Sequence, residues 1–401
     1  MTDERDPGSD LEETLTVSAP PSASSGSAAT PSTPPIPRGS VLDPPTAPGM
    51  AKVGFTGDRA GASEALPSRP VTARRAPVPP VVLPPSEERK PFDRRPSIPG
   101  YLIEQPLGHG GMAEVYKAQR LGGVGVAVPC VVKTIIAGKE DDPRFREKFL
   151  AEARIHAQMQ HPNLVQVLDV GEADDGRLYL VMEWVEGLDV AGLIRSARKR
   201  TQAIPLRHVL FILRQALQGL HHTHTSHGSG FVHRDISPGN ILISRQGAVK
   251  LADFGVARSI ESLARSRQRT LAGKLHYFAP ELITGRAGAT VQSDVFAVGV
   301  TLWEMLTCRP LFPRRAKWAR LQSEIAAFDP RRLLEDELTI PEGLEDIVLR
   351  SLARHPGDRY GAALEFLEDV NDYAYESGLR LLDVHFASYV ERVIGQKEAR
   401  E

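Results

Sequence analysis

The chain is predicted to be an α+β protein, with a small sheet-rich part followed by a larger helical one. Three observations predict it. Short apolar runs crowd the stretch from Tyr101 to Met182, the pattern turns mostly helical after Gly187, and proline sets both apart from a long polar arm. Of the 32 prolines, 20 precede residue 100, where Phe55 and Phe92 are the aromatics. Runs such as Pro77-Val78-Pro79-Pro80 offer too little apolar surface to offset the entropy of ordering. Residues 1–97 are therefore expected to be a disordered Pro/Ala/Ser-rich arm, with Tyr101 opening the folded part.

Strand-like runs come first. Tyr101–Glu104 leads into the glycine-rich Leu107–Met112 and then Ala113–Tyr116. Val124–Val128 and Cys130–Lys133 read as two further strands. From Pro143 to Gln160 the period becomes helical, with Phe145, Phe149, Ala153 and Ile155 on one side. Val165–Leu168 and Leu178–Met182 read as strands again, and after Gly187 the pattern is mostly helical to the end. A helical, polar tail spans 376–401, its end fraying after about residue 392.

Composition limits the function. At 41% hydrophobic and 25% charged the chain is of ordinary soluble type, and a net charge of −1 gives no support for a nucleic-acid partner. Cys130 and Cys308 are too few for a disulfide framework, which fits a reducing cytoplasm. The acidic start, Met1-Thr2-Asp3-Glu4-Arg5, lacks the apolar core of a signal peptide. No run of ~18 apolar residues occurs, so no membrane span is expected.

The chemistry concentrates in His233-Arg234-Asp235-Ile236-Ser237-Pro238-Gly239-Asn240, followed by Asp253-Phe254-Gly255. Two aspartates and an asparagine at this spacing are oxygen donors of the kind a hard cation shares with phosphate. One Asp would take the proton of a substrate hydroxyl while Asn240 and Asp253 hold metal against a triphosphate. Gly108-His109-Gly110-Gly111-Met112-Ala113 lies between two predicted strands. That context suits a hairpin flap over phosphates, with the alternative of an ordinary glycine-rich turn. Lys133 ends an apolar strand, and Glu152 in the next helix would fix its ammonium; Glu147 is the other candidate partner. His221, His222, His224 and His227 could suggest a metal, but no Cys or acidic cluster completes a site.

Lys133, Glu152, Asp235, Asn240 and Asp253, in this order, resemble the protein kinase family, specifically bacterial kinases of the eukaryotic Ser/Thr type. The resemblance covers about residues 100–375 and implies a bilobal domain over 98–375, its β-rich lobe about 98–182 and its helical lobe about 187–375. It implies Mg²⁺ (or Mn²⁺) and ATP in the cleft, and protein substrates. The nucleotide set would be Leu107, Gly108, His109, Gly110, Gly111, Met112, Val115, Val131, Lys133, Glu152, Met182, Glu183, Val185, Asp189, Asn240, Leu242 and Asp253. Met182 would be the gatekeeper and Glu183-Trp184-Val185 the hinge; Asp189 is either a ribose contact or a helix N-cap. Glu281 of Ala279-Pro280-Glu281 would pair with Arg359, and Asp294 would support the catalytic loop.

Two positions depart from the family. Ser237 stands where Ser/Thr kinases carry a lysine, and Lys274 where they carry a threonine. Either the chain is a nucleotide-binding pseudokinase acting as a scaffold, or the two have exchanged, Lys274 supplying the charge and Ser237 the hydroxyl. The loop before Ala279 is basic, and Arg234 resembles a reader of activation-loop phosphate, with Thr270 and then Ser266 as acceptors. The arm is expected to be a tether, or to offer Pro-rich or phosphorylated motifs to partners.

Overall fold

The computed structural model describes residues 95–109, 113–123, 125–136, 143–226, 231–253, 275–314, 318–334 and 340–398. The arm lies outside the described residues apart from Arg95, Pro96 and Ser97. The folded part starts earlier than Tyr101. Ile98 is buried among Ala118, Cys130, Val132 and Val181, and Ser97 Oγ donates to Asp174 Oδ2 at 2.6 Å.

A five-stranded antiparallel sheet comes first, in the order β1-β2-β3-β5-β4: β1 (Tyr101–His109), β2 (Ala113–Leu121), β3 (Ala127–Ile135), β4 (Val167–Glu172) and β5 (Leu178–Glu183). Alternation on β2 puts Tyr116 and Ala118 inward and Val115 and Lys117 on the other face. The two strands expected at Val124–Val128 and Cys130–Lys133 are one strand, β3. Gly122 and Val126 close a turn at its start, the Gly122 N–H donating to the Val126 carbonyl at 2.8 Å. Pro129 sits inside β3 without breaking it because β5 pairs only from Cys130 onward. β4 begins at Val167, not Val165, because the Val165 N–H is taken by the Leu251 carbonyl at 2.8 Å.

Helix α1 (Pro143–Gln158) buries Phe149 and Ala153 against Ile135, Leu180 and Met182, while Ile155 packs on the helical core instead. The side chain of Phe145 lies outside the described residues. A second sheet, β6 (Gly187–Asp189), β7 (Ile241–Ser244) and β8 (Val249–Leu251), carries the loop between α3 and Asp253. Around it stand α2 (Val190–Lys199), α3 (Leu206–Thr225), α4 (Pro280–Ile283), α5 (Val291–Thr307), α6 (Trp318–Ala326), α7 (Leu344–Ser351), α8 (Ala363–Glu376) and α9 (Asp383–Glu398). Helix α5 is apolar nearly all round and buried from Ser293 to Met305, the pattern of a central core helix. Thr290 and Ser293 form a reciprocal capping box at its start.

The carboxy-terminal segment is a correction. The sequence predicts a helical, polar tail over 376–401 that frays after about residue 392. Instead α9 runs to Glu398 and buries Phe386, Val390, Val393 and Ile394 in the same core as α3 and α5. The spacing of those four residues supplies the apolar stripe that holds the helix down.

Arg359 and Glu281 form a buried bidentate pair, both nitrogens at 2.8 Å, with Arg359 also donating to the carbonyls of Ala353, Gln292 and Arg354. Arg359→Ala is expected to cost about 3–5 kcal/mol in a denaturant titration, because it strands a buried carboxylate. A loss under about 1 kcal/mol would contradict that reading.

His208 and His276 are both held down to about 4, chiefly by burial, with nearby arginines adding to it. Each is therefore neutral in the fold, whereas the unfolded chain takes up its proton below about 6.5. Stability should fall from about pH 6.5 toward pH 4, by up to about 1.4 kcal/mol per pH unit for each histidine, with no contribution from either above pH 7. His208 stacks on Tyr389 at 4.5 Å, so His208→Phe should keep the packing and flatten its share of the slope.

Candidate active site

Three backbone features bring the site together. β1 and β2 form a hairpin in which Gly108 faces Val115 and His109 faces Glu114. β3 delivers Lys133 between Val115 and Leu180. The loop after α3 then turns through Pro238–Asn240 into β7, whose hairpin with β8 returns the chain to Asp253.

The loop is held from below by one carboxylate. Asp294, near the start of α5, accepts the backbone N–H of His233 at 2.7 Å and of Arg234 at 2.9 Å, and meets His224 Nε2 at 3.0 Å. Arg234 sits at φ +65° and Asp253 at φ +56°, left-handed conformations that a non-glycine residue keeps only when its surroundings fix it. Both flank the reactive groups. Asp235 is 5% exposed, and the Asn240 side-chain nitrogen donates to its carboxylate at 2.8 Å and to its carbonyl at 2.7 Å. The Ala252 N–H donates to the Asn240 carbonyl at 2.8 Å, which ties the loop to the strand carrying Asp253. Lys133 Nζ lies 3.0 Å from Asp253 Oδ1.

Beside these polar groups lies an apolar patch. Met182 belongs to a buried cluster against which Val131, Val185, Leu242 and Ala252 pack. Four of the expected nucleotide residues thus share one surface. Val115 stands opposite Lys133 across β2 and β3, and Leu107 is exposed. Asp189 caps α2, accepting from the Gly192 N–H at 2.5 Å, so the N-cap alternative is the contact observed. Glu183 accepts from Lys250 Nζ at 2.7 Å and from the Gln166 N–H at 2.8 Å, joining β5 to β8.

Ser237 is buried at 4% exposure, and its carbonyl accepts the Asn240 N–H. Lys274, Thr270, Ser266, Gly110, Gly111, Met112 and His227 lie outside the described residues, as does the side chain of Glu152. Glu147 is exposed on α1. Of the remaining histidines, His222 stacks on His161 at 4.9 Å and His224 meets Asp294.

Two features escaped sequence reasoning. His156, one helical turn beyond Glu152, is buried beside the site; burial, helped by Lys133 and His233, pushes it down to about 3. It is therefore a neutral ring where α1 meets Lys133, His233 and Asp253. The helical stripe of α1 could have revealed it, had a histidine been read as apolar. At the root of the glycine-rich hairpin, Glu114 is buried, accepting from Tyr116 Oη at 2.8 Å and meeting Arg177 at 3.4 Å. A single carboxylate within a strand gives no signal of a partner 63 residues away.

The protein kinase domain family matches residues 101–369. The tyrosine-protein kinase MasK of Myxococcus xanthus is 36% identical over 285 residues, covering 69% of this chain and 43% of its own length. The probable serine/threonine-protein kinase SCO3848 of Streptomyces coelicolor is 37% identical over 284 residues, covering 67% and 39% respectively. PrkC of Bacillus subtilis, a serine/threonine-protein kinase, is 32% identical over 270 residues, covering 67% and 40%. This chain thus spans about two fifths of the length of these relatives. No helix among the described residues is long and apolar enough to cross a membrane. With the family match over two thirds of its length, laid on a five-stranded sheet, a helical half and a loop whose His233 and Arg234 N–H groups are held by Asp294, the chain belongs to the protein kinase domain family.

Proposed function

We propose that this chain transfers the γ-phosphate of ATP to serine or threonine hydroxyls of protein substrates in the cytoplasm. The observation that carries the reading is the convergence of Lys133 on Asp253 at 3.0 Å beside the Asp235–Asn240 pair. Asp235 would orient the substrate hydroxyl and take its proton as oxygen bonds to the γ-phosphorus and the bond to the β-phosphate oxygen breaks. Lys133 would hold the α- and β-phosphates, with Glu152 orienting it. The glycine-rich hairpin from Leu107 to Val115 would cover the phosphates. The adenine would rest on Val131, Met182, Val185 and Leu242, bonded by the backbone of the Glu183–Val185 hinge, and Asp189 could still reach the ribose.

The donor set fits Mg²⁺, or Mn²⁺. The Asn240 amide nitrogen is committed to Asp235, which turns the amide oxygen to the opposite side, and Asp253 adds a carboxylate. Bound there, the ion would neutralise charge on the phosphates.

In this reading Lys274 supplies the charge that Ser237 lacks, and phosphate on Thr270 or Ser266, read by Arg234, orders the loop. The arm would carry Pro-rich or phosphorylated motifs for partners. The names of SCO3848 and PrkC favour Ser/Thr as acceptor, whereas MasK is named for tyrosine.

Incubation with radiolabelled ATP and Mg²⁺ should label the chain or an added protein, and acid hydrolysis should release phosphoserine or phosphothreonine. Asp235→Ala should cut the rate by about 10²–10⁴-fold. Equal labelling in both would sink the enzyme reading, and phosphotyrosine alone the acceptor class. Lys274→Ala should slow transfer by at least about tenfold if the exchange holds. Undiminished transfer would mean that Lys274 does not replace the missing lysine.

A further inference from the structure

Successive residue rows across the first sheet face opposite sides. Gly108, Val115 and Lys133 stand side by side on β1, β2 and β3, and Lys133 carries that face to Asp253. His109, Glu114 and Thr134 form the next row, so their side chains belong to the other face. A charged cluster is buried there, behind the root of the glycine-rich hairpin.

At its centre is Arg177, directly before β5, whose side chain is 1% exposed. Its Nε donates to Asp175 Oδ2 at 2.8 Å and its Nη1 reaches Glu114 Oε2 at 3.4 Å. Tyr116 Oη donates to the same Glu114 oxygen at 2.8 Å. The other oxygen, Glu114 Oε1, lies 3.6 Å from His109 Nδ1. One carboxylate thus touches both strands of the hairpin and, through Arg177, the turn between β4 and β5. That turn also fastens α1, since Arg146 donates to the Gly176 carbonyl at 3.0 Å and to Glu172 at 2.9 Å.

Buried ion pairs are a poor source of stability, because apolar side chains of similar volume do as well or better. A charged pair with several bonds supplies direction instead. Glu114 and Arg177 join β2 to the start of β5 across β3, which lies between them in the sheet.

We propose that Glu114 and Arg177 are positioning residues for the nucleotide. Acting from the face opposite Lys133, they fix the root of the glycine-rich hairpin and thereby set the affinity for ATP. The inference rests on the protein kinase reading and adds two residues that touch neither substrate.

The test compares the full-length chain with Glu114→Gln, Arg177→Met and the apolar pair Glu114→Leu/Arg177→Met. The KM for ATP, kcat at saturating ATP, Mg·ADP binding by calorimetry and melting temperature are measured for each. Glu114→Gln and Arg177→Met should each raise the KM for ATP and the Kd for Mg·ADP by about three- to tenfold, the scale of one or two hydrogen bonds. Their kcat should stay within about twofold, as expected when binding is lost but the transition-state contacts remain. The apolar pair should regain most of the melting temperature that Arg177→Met loses, yet keep the raised KM. That split separates positioning from stability. A KM and Kd within about twofold of the unaltered chain, in both Glu114→Gln and the apolar pair, overturn the inference. Recovery of KM together with melting temperature in the apolar pair overturns it equally. Weaker Mg·ADP binding by the variants of a chain that transfers no phosphate supports the positioning role while contradicting the kinase reading. An unaltered chain that binds no Mg·ADP overturns both.

Discussion

The carboxylate of Asp294 is the constraint on which the rest of the site depends. Two consecutive backbone N–H groups, of His233 and Arg234, point at it, and Arg234 adopts a left-handed conformation to make that possible. Such a conformation costs of order 1–3 kcal/mol for a non-glycine residue and persists only when over-determined. The determination comes from α5, which is buried along most of its length and capped at its start, so the aspartate cannot drift. The consequence reaches one residue further. With Arg234 fixed, Asp235 is directed at Asn240, and through the Ala252–Asn240 bond the position of Asp253 follows.

The two halves meet through short polar links. Lys133 reaches Asp253, Lys250 reaches Glu183, and the Asn163 carbonyl accepts the Leu251 N–H at 2.8 Å while its side chain donates to Val249. Each is modest in a folded protein, on the order of 1 kcal/mol net for a hydrogen bond. Together they register the sheet against the strand that leads to Asp253. The apolar cluster around Met182 then supplies a dry surface next to a charged one, the combination a nucleotide binding site needs.

Much of this was legible in the sequence, and the reasons differ by residue. The α+β division was legible because period-2 and period-3.6 patterns occupy separate stretches. The Glu281–Arg359 pair and the Asp294 support were read through family resemblance, and the observed bonds agree with both. Boundaries were less legible. β3 absorbed a proline because its neighbour is short at that end, a fact about β5 and not about β3. Helix α9 looked like a polar tail because its stripe of Phe386, Val390, Val393 and Ile394 is sparse and only the surface of α3 gives it meaning. His156 and Glu114 were missed for a related reason. Their roles come from partners distant in sequence, and a buried polar group carries no local pattern.

The most direct measurement is the turnover of Asp294→Asn under saturating Mg·ATP, with its melting temperature taken in parallel. The substitution keeps the volume but replaces one acceptor oxygen by a donor facing a backbone N–H. The account predicts a chain that still folds, with kcat lowered by at least about a hundredfold because Asp235 loses its fixed direction. A kcat within twofold of the unaltered chain would contradict the claim that Asp294 positions the catalytic loop.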